Sequence, residues 1–188
     1  MTWLLIALIG ILWLVGVMYL LTVFYFKLTQ KEVFVPFVPA DTEGVETMYR
    51  AIGLKGSEKV IDIGSGWGTI LFHLHKKFPT LYLTGIELNP MLHVITLLRK
   101  FLFHRKGNIR LLRGDAATIS YRDYDVIFLF MLSPFVNKIL VPKFEKELKK
   151  GTKVVSYVFK MKSNAFSEKT VKLPSNGWKS AVYIYEKL

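Results

Sequence analysis

The sequence predicts an α/β protein, a doubly wound and mostly parallel sheet with a C-terminal antiparallel hairpin, preceded by one transmembrane helix. Three observations carry this. Between Lys59 and Phe159, strand-length apolar runs alternate with helix-like segments, and the runs are apolar throughout, as strands covered on both faces are. The run Lys59–Ile63 breaks into Gly64-Ser65-Gly66-Trp67-Gly68 and a helix-like segment follows at once. A strand, glycine turn and helix in that order open a nucleotide-binding sheet. Ahead of all this, Thr2 to Phe26 contains no charged residue. As a helix that run is ~37 Å long at 1.5 Å per residue, enough to cross a hydrocarbon core of ~30 Å.

The elements follow in order. A buried core helix would be shorter and interrupted by polar residues, and a cleaved signal peptide would have a basic start and a small-residue cleavage site. The first run has neither character, and Trp3, Trp13, Tyr19 and Tyr25 suit the two membrane interfaces. Residues 1–27 therefore read as an anchor, 28–40 as a linker containing Pro36 and Pro39, and 41–188 as the folded domain. Lys27, Lys31, Arg50 and Lys55 lie after the span and only the α-amino group before it, which puts the domain on the cytoplasmic (or organellar matrix) side. Asp41 or Thr42 caps a helix running to about Ile52 and stopped by Gly53. Strands are expected over Lys59–Ile63, Tyr82–Glu87, Ile109–Arg113, Asp125–Met131 and Lys153–Phe159. Helices are expected from Thr69 to about Phe78, from Pro90 to about Lys106, and from Ser133 to Lys150. Lys169–Leu173 and Ala181–Glu186, joined by Pro174-Ser175-Asn176-Gly177, read as a hairpin after a shortened connection.

Composition narrows the function classes. The chain has 188 residues, no cysteine and a net charge of +12. No disulfide framework is possible. The basic balance suits anionic surroundings such as lipid headgroups. Much of it is a solvated helix face, where lysines from Lys138 to Lys153 alternate with Glu145 and Glu147. No basic motif interleaved with aromatics marks a nucleic-acid surface, so no nucleic-acid partner is expected. His73, His75, His93 and His104 fall at spacings that build no metal site.

The glycine turn identifies the ligand class. G-x-G-x-x-G would need glycine at Thr69, so the spacing is not the dinucleotide one. Asp62 followed by Gly64, Gly66 and Gly68 instead resembles motif I of the class I S-adenosylmethionine (SAM) methyltransferases, with Ser65 inside the turn. That resemblance implies a ribose role for Glu87 at the end of the second strand, with Asn89 beside it. It implies contact with the adenine amino group for Asp115, next to Ala116. Asp62, costly to bury unpaired, is expected to bond nearby N–H groups and help receive the cationic methionine end.

More of the chain narrows the family. Pro36-Phe37-Val38-Pro39, Asp62-Ile63-Gly64-Ser65-Gly66, Gly85-Ile86-Glu87-Leu88-Asn89-Pro90 and the run from Pro142 to Ser156 together resemble the FAM173-type protein lysine methyltransferases and their archaeal relatives. The resemblance implies methyl transfer from SAM to lysine ε-amino groups of a protein substrate, by an enzyme carrying an N-terminal membrane segment. No catalytic residue is assigned, because a sulfonium needs mainly in-line positioning of a neutral amine. Phe37, Trp67, Tyr157 and the segment from Phe130 through Ser133 to Pro134 are the candidates for the acceptor pocket. Trp67 stands where the family usually has Asp, and Ser156-Tyr157-Val158-Phe159 departs from its usual polar, acidic and Phe residues. Both departures lie on the acceptor side. A small or lipid acceptor, or an inactive SAM-binding scaffold, are the competing readings.

Overall fold

Helix α1 (Thr2–Thr29) opens the chain and belongs to a unit of its own, Met1–Pro36, separate from Phe37–Leu188. The computed structural model describes residues 2–29, 40–173 and 181–188. The stretch Leu5–Phe24 has no charge. Its Thr22 hydroxyl donates to Met18 O at 2.8 Å, so its polar group is satisfied within the helix. The helix is long and apolar enough to cross a membrane.

The second unit contains the sheet. Its strands are β1 (Lys59–Ile63), β2 (Tyr82–Glu87), β3 (Ile109–Arg113), β4 (Val126–Leu129), β5 (Lys153–Tyr157), β6 (Phe166–Lys172) and β7 (Ala181–Lys187). They lie in the order β3-β2-β1-β4-β5-β7-β6. The first five are parallel, and β7 inserts antiparallel between β5 and β6. Strand order reverses between β1 and β4, so the crevice of a doubly wound sheet opens at their carboxyl ends. The expected architecture is present, although the hairpin turn at Pro174–Gly177 and the linker prolines lie outside the described residues.

Neighbouring residues of each central strand serve opposite layers, which is why the strand runs are apolar throughout. Val60, Phe128 and Val155 pack with Val45 and Met48 of α2 (Thr42–Ile52) and with Leu71 and Leu74 of α3 (Thr69–Lys77). Ile61, Ile127 and Val154 face Val136, Leu140 and Phe144 on the other side. Helix α2 starts as expected, with the Asp41 carboxylate accepting from Gly44 N at 2.7 Å, and ends at Gly53 in the left-handed region. Helix α4 (Pro90–Phe103) is shorter than expected and stops at His104.

The largest departure from expectation is the helix after β4. It is broken into α5 (Ser133–Phe135), a π turn (Val136–Leu140) and α6 (Val141–Glu147). Pro142 explains the break. Its ring has no N–H and would clash with the carbonyl four residues back, so the preceding turn widens and Val141 N–H reaches back to Val136 O. No helix interrupts the connection from β5 to β6, in keeping with the short stretch of sequence there.

Candidate active site

The glycine turn closes over the carboxyl ends of β1 and β2. Gly64, Gly66 and Gly68 have φ of 69°, 56° and 83°, all in the region where a side chain is strained. Gly64 N and Ser65 N donate to Ile86 O at 2.9 and 3.0 Å, stitching the turn to β2. At Gly68 a Cβ would also meet the Phe72 ring at 2.5 Å, so α3 can follow directly only behind a glycine.

Glu87 organises the centre. It is buried, and its two carboxylate oxygens accept from Gly66 N and Asn89 N, each at 2.8 Å. One side chain thus sets both the glycine turn and the start of α4, while each oxygen keeps a second lone pair for a ligand hydroxyl. The Asn89 carbonyl in turn caps α4, accepting from Met91 N at 2.9 Å. Asp62 is only 2% exposed, at the end of β1. Burial, and then the nearby Glu87 carboxylate, push the Asp62 carboxyl well above the ordinary range. Two carboxylates in one buried pocket create a strong preference for a cation. Gly64 N and Ser65 N go to β2, Gly66 N to Glu87 and Gly68 N to Ser65 O, in place of the expected bonds to Asp62.

Asp115 follows β3 on the same sheet edge, exposed, its Oδ1 accepting from Ala117 N at 2.8 Å. Ala116 is buried, and its carbonyl accepts from the Tyr121 hydroxyl at 2.7 Å. These contacts bring Asp62, Gly64, Ser65, Gly66, Gly68, Glu87 and Asn89 into one cradle, with Gly114 N donating to Glu87 O at 3.1 Å to hold the Asp115 loop alongside. A cradle of strained glycines and buried acids fits a ligand with ribose hydroxyls and a positively charged end.

Residues 62–167 match the ANTKMT methyltransferase domain. The chain belongs to this family. A curated protein-lysine N-methyltransferase from Saccharolobus islandicus (strain REY15A) is 29% identical over 156 residues, covering 80% of this chain and 92% of its own. An RNA methyltransferase from Salinibacter ruber, solved in complex with S-adenosyl-L-homocysteine, superimposes with a TM-score of 0.68 at 27% identity, covering 80% of this chain and 94% of that one. A methyltransferase from Pyrococcus furiosus shares the fold at TM-score 0.58 and 20% identity, over 90% of this chain and 98% of that one. The protein is a SAM-dependent methyltransferase with the class I Rossmann-like fold.

The acceptor-side candidates of this methyltransferase occupy the neighbouring edge. Trp67, 38% exposed, rides on the glycine turn, with its Nε1 donating to Thr69 Oγ1 at 2.9 Å. Met131 packs beside Gly64. The Ser133 hydroxyl donates to Lys160 O at 3.1 Å. Tyr157 is buried, its hydroxyl donates to Asp41 Oδ2 at 2.7 Å, and burial followed by Asp41 holds the phenol above its ordinary range. Phe130 packs at a tilt against Tyr157 and stacks on Phe159, and Val158 between those two residues in sequence has φ of 67°, a strained value for a β-branched side chain. Phe37 lies outside the described residues.

Sequence reasoning missed two residues of α4. The Thr96 hydroxyl donates to Gly66 O at 2.7 Å and the Arg99 guanidinium to Trp67 O at 2.5 Å. A threonine and an arginine three apart in a mostly apolar helix were the available signal. It is a weak one, because only the fold reveals that the glycine turn lies against them.

Proposed function

We propose that this chain is a membrane-anchored SAM-dependent methyltransferase acting on lysine ε-amino groups of a protein. The acceptor rests chiefly on the Saccharolobus relative, which bears that activity in its name and is matched over nearly its whole length. The anchor rests on α1, long enough to span and free of charge from Leu5 to Phe24. The distribution of Lys27, Lys31, Arg50 and Lys55 supports a domain on the cytoplasmic or matrix side.

The proposed roles follow from the cradle. Glu87 accepts the ribose hydroxyls with the lone pairs that Gly66 N and Asn89 N leave unused. Asp62 faces the cationic methionine end. Asp115, Ala116 and Asn89 bound the nucleoside. Bound SAM supplies an electrophilic methyl group on a sulfonium. The chain's own task is then to orient a neutral amine and exclude water from it. Trp67 forms the wall on the turn side, with Ser133 and Tyr157 toward β4 and β5, and Phe37 is kept as an acceptor-side candidate from the sequence. An aromatic face stabilises the ammonium product. Met131 packs the floor under Gly64.

The buried Asp62–Glu87 pair under the glycine turn carries the cofactor assignment. Glu87→Ala should weaken SAM binding by ~1.5–3 kcal/mol, the range for a hydrogen bond to a charged group. Equal affinities for mutant and parent by calorimetry would remove the ribose assignment. For the acceptor, the purified protein is incubated with labelled SAM and cell lysate. Label in protein, mapped to lysine, supports the proposal. Label in the lipid phase or in RNA, the substrate named for the Salinibacter enzyme, overturns it. Intact SAM binding without any transfer identifies a scaffold.

A further inference from the structure

The outer face of α4 has no cover among the described residues. Val94, Leu97, Leu98, Phe101 and Leu102 recur at the spacing of a single helical face. They are 52%, 43%, 55%, 57% and 63% exposed, and Phe103 beside them is 74% exposed. The opposite side of the helix holds Leu92 and Thr96, both buried against the domain. A helix with apolar residues on both sides belongs between two layers, and the domain supplies one of them.

The charge around this stripe indicates what the second layer is. From Leu88 to Gly114 there is no acidic residue, while Arg99, Lys100, Arg105, Lys106, Arg110 and Arg113 are all basic. Arg105 Nε donates to Phe101 O at 2.6 Å, and its guanidinium carbon lies 3.7 Å from the centre of the Phe101 ring, so a cation sits directly on the apolar stripe. Lys106 and Arg110 are exposed beyond it. Hydrocarbon next to exclusively positive charge matches an anionic lipid surface, where the acyl region takes Leu and Phe and the headgroup phosphates take Arg and Lys.

We propose that the outer face of α4 is a membrane-docking surface for anionic lipid, seating the catalytic domain on the bilayer. The proposal rests on the anchored reading given above and adds a second attachment to it. The same helix bonds the glycine turn through Thr96 and Arg99. Docking therefore steadies the cofactor turn and favours acceptor lysines close to the bilayer.

The chain has no cysteine, so single ones can be introduced cleanly. Full-length Leu98→Cys, Val94→Cys, Lys169→Cys on β6 and Leu12→Cys in the anchor are each labelled with an environment-sensitive fluorophore. All four are reconstituted into phosphatidylcholine vesicles with or without phosphatidylserine and carrying nitroxide-labelled lipid. Labels at Leu98 and Val94 should be quenched several-fold more than the label at Lys169, and more strongly with phosphatidylserine present. Quenching at Leu12 alone overturns the docking surface while leaving the anchor intact. Quenching at none of the four overturns the anchor as well. Equal quenching with and without phosphatidylserine overturns the anionic preference. Protection of Leu98 and Val94 from both lipid and aqueous quenchers assigns the face to a protein partner or a second copy, and also overturns the proposal.

Discussion

Asp62 is a buried carboxyl that works against the fold. Its carboxyl is buried beside Glu87, and both effects raise its pKa above the ordinary 3.8. Over the interval from that value up to the raised one, the folded protein binds a proton that the unfolded chain has released. Its contribution to stability is full below the unfolded value and is lost as pH rises through the folded one. At neutral pH without cofactor the buried carboxyl therefore opposes folding. Asp62→Asn should raise the Tm of the cofactor-free protein at neutral pH and flatten its pH dependence. The same change should weaken SAM binding by ~1.5–3 kcal/mol. Thermal melts across pH with and without SAM read both effects, and a mutant melting below its parent without SAM would reverse the argument.

At the scale of the element, the glycine turn and the start of α2 hold the site's shape. Gly68 combines positive φ with a crowded Cβ position, whereas Gly53 has φ of 61° with open space around it. Gly53→Ala should cost ~1–2 kcal/mol for left-handed backbone alone. Gly68→Ala should cost clearly more and also weaken SAM binding. Urea unfolding of the two mutants separates conformational strain from the clash with Phe72. Across the sheet, the Tyr157 ring lies against Gly44, where any Cβ would overlap it, and its hydroxyl reaches Asp41. Tyr157→Phe should cost ~1.5–3 kcal/mol, the range for a hydrogen bond to a charged group. Faster amide exchange in the first turn of α2 is the accompanying signature, because Asp41 also caps that helix. Unchanged exchange there would show that Tyr157 does not hold α2.

At the scale of the whole molecule, a helix uncharged from Thr2 to Phe26 and a basic catalytic domain share one chain. The full-length protein should stay with membranes after carbonate washing, and a chain beginning near Lys31 should be released into solution. Fractionation followed by a SAM-binding assay distinguishes a lost anchor from a lost fold. Protease added from the side opposite the domain should leave it whole, and its digestion from that side would reverse the orientation drawn from the flanking lysines.

Local features of the sequence were enough to place β1, β2 and β3, the glycine turn and the carboxylate of Glu87 at the end of its strand. Strand runs, caps and glycine spacing depend on residues a few positions apart, and here the sheet keeps them. The family followed from those same motifs. The break in the helix after β4 was less legible, because Pro142 could have stopped, kinked or widened it. Tertiary structure alone decided the partners. Tyr157 meets a carboxylate 116 residues away, and Thr96 meets a turn 30 residues back. Such pairs are fixed by strand order and helix placement, which no local pattern encodes. The same holds for charge and exposure. The raised pKa of Asp62 arises from what buries it and from Glu87 on the neighbouring strand. The uncovered face of α4 arises from having one layer of the domain on one side and none on the other.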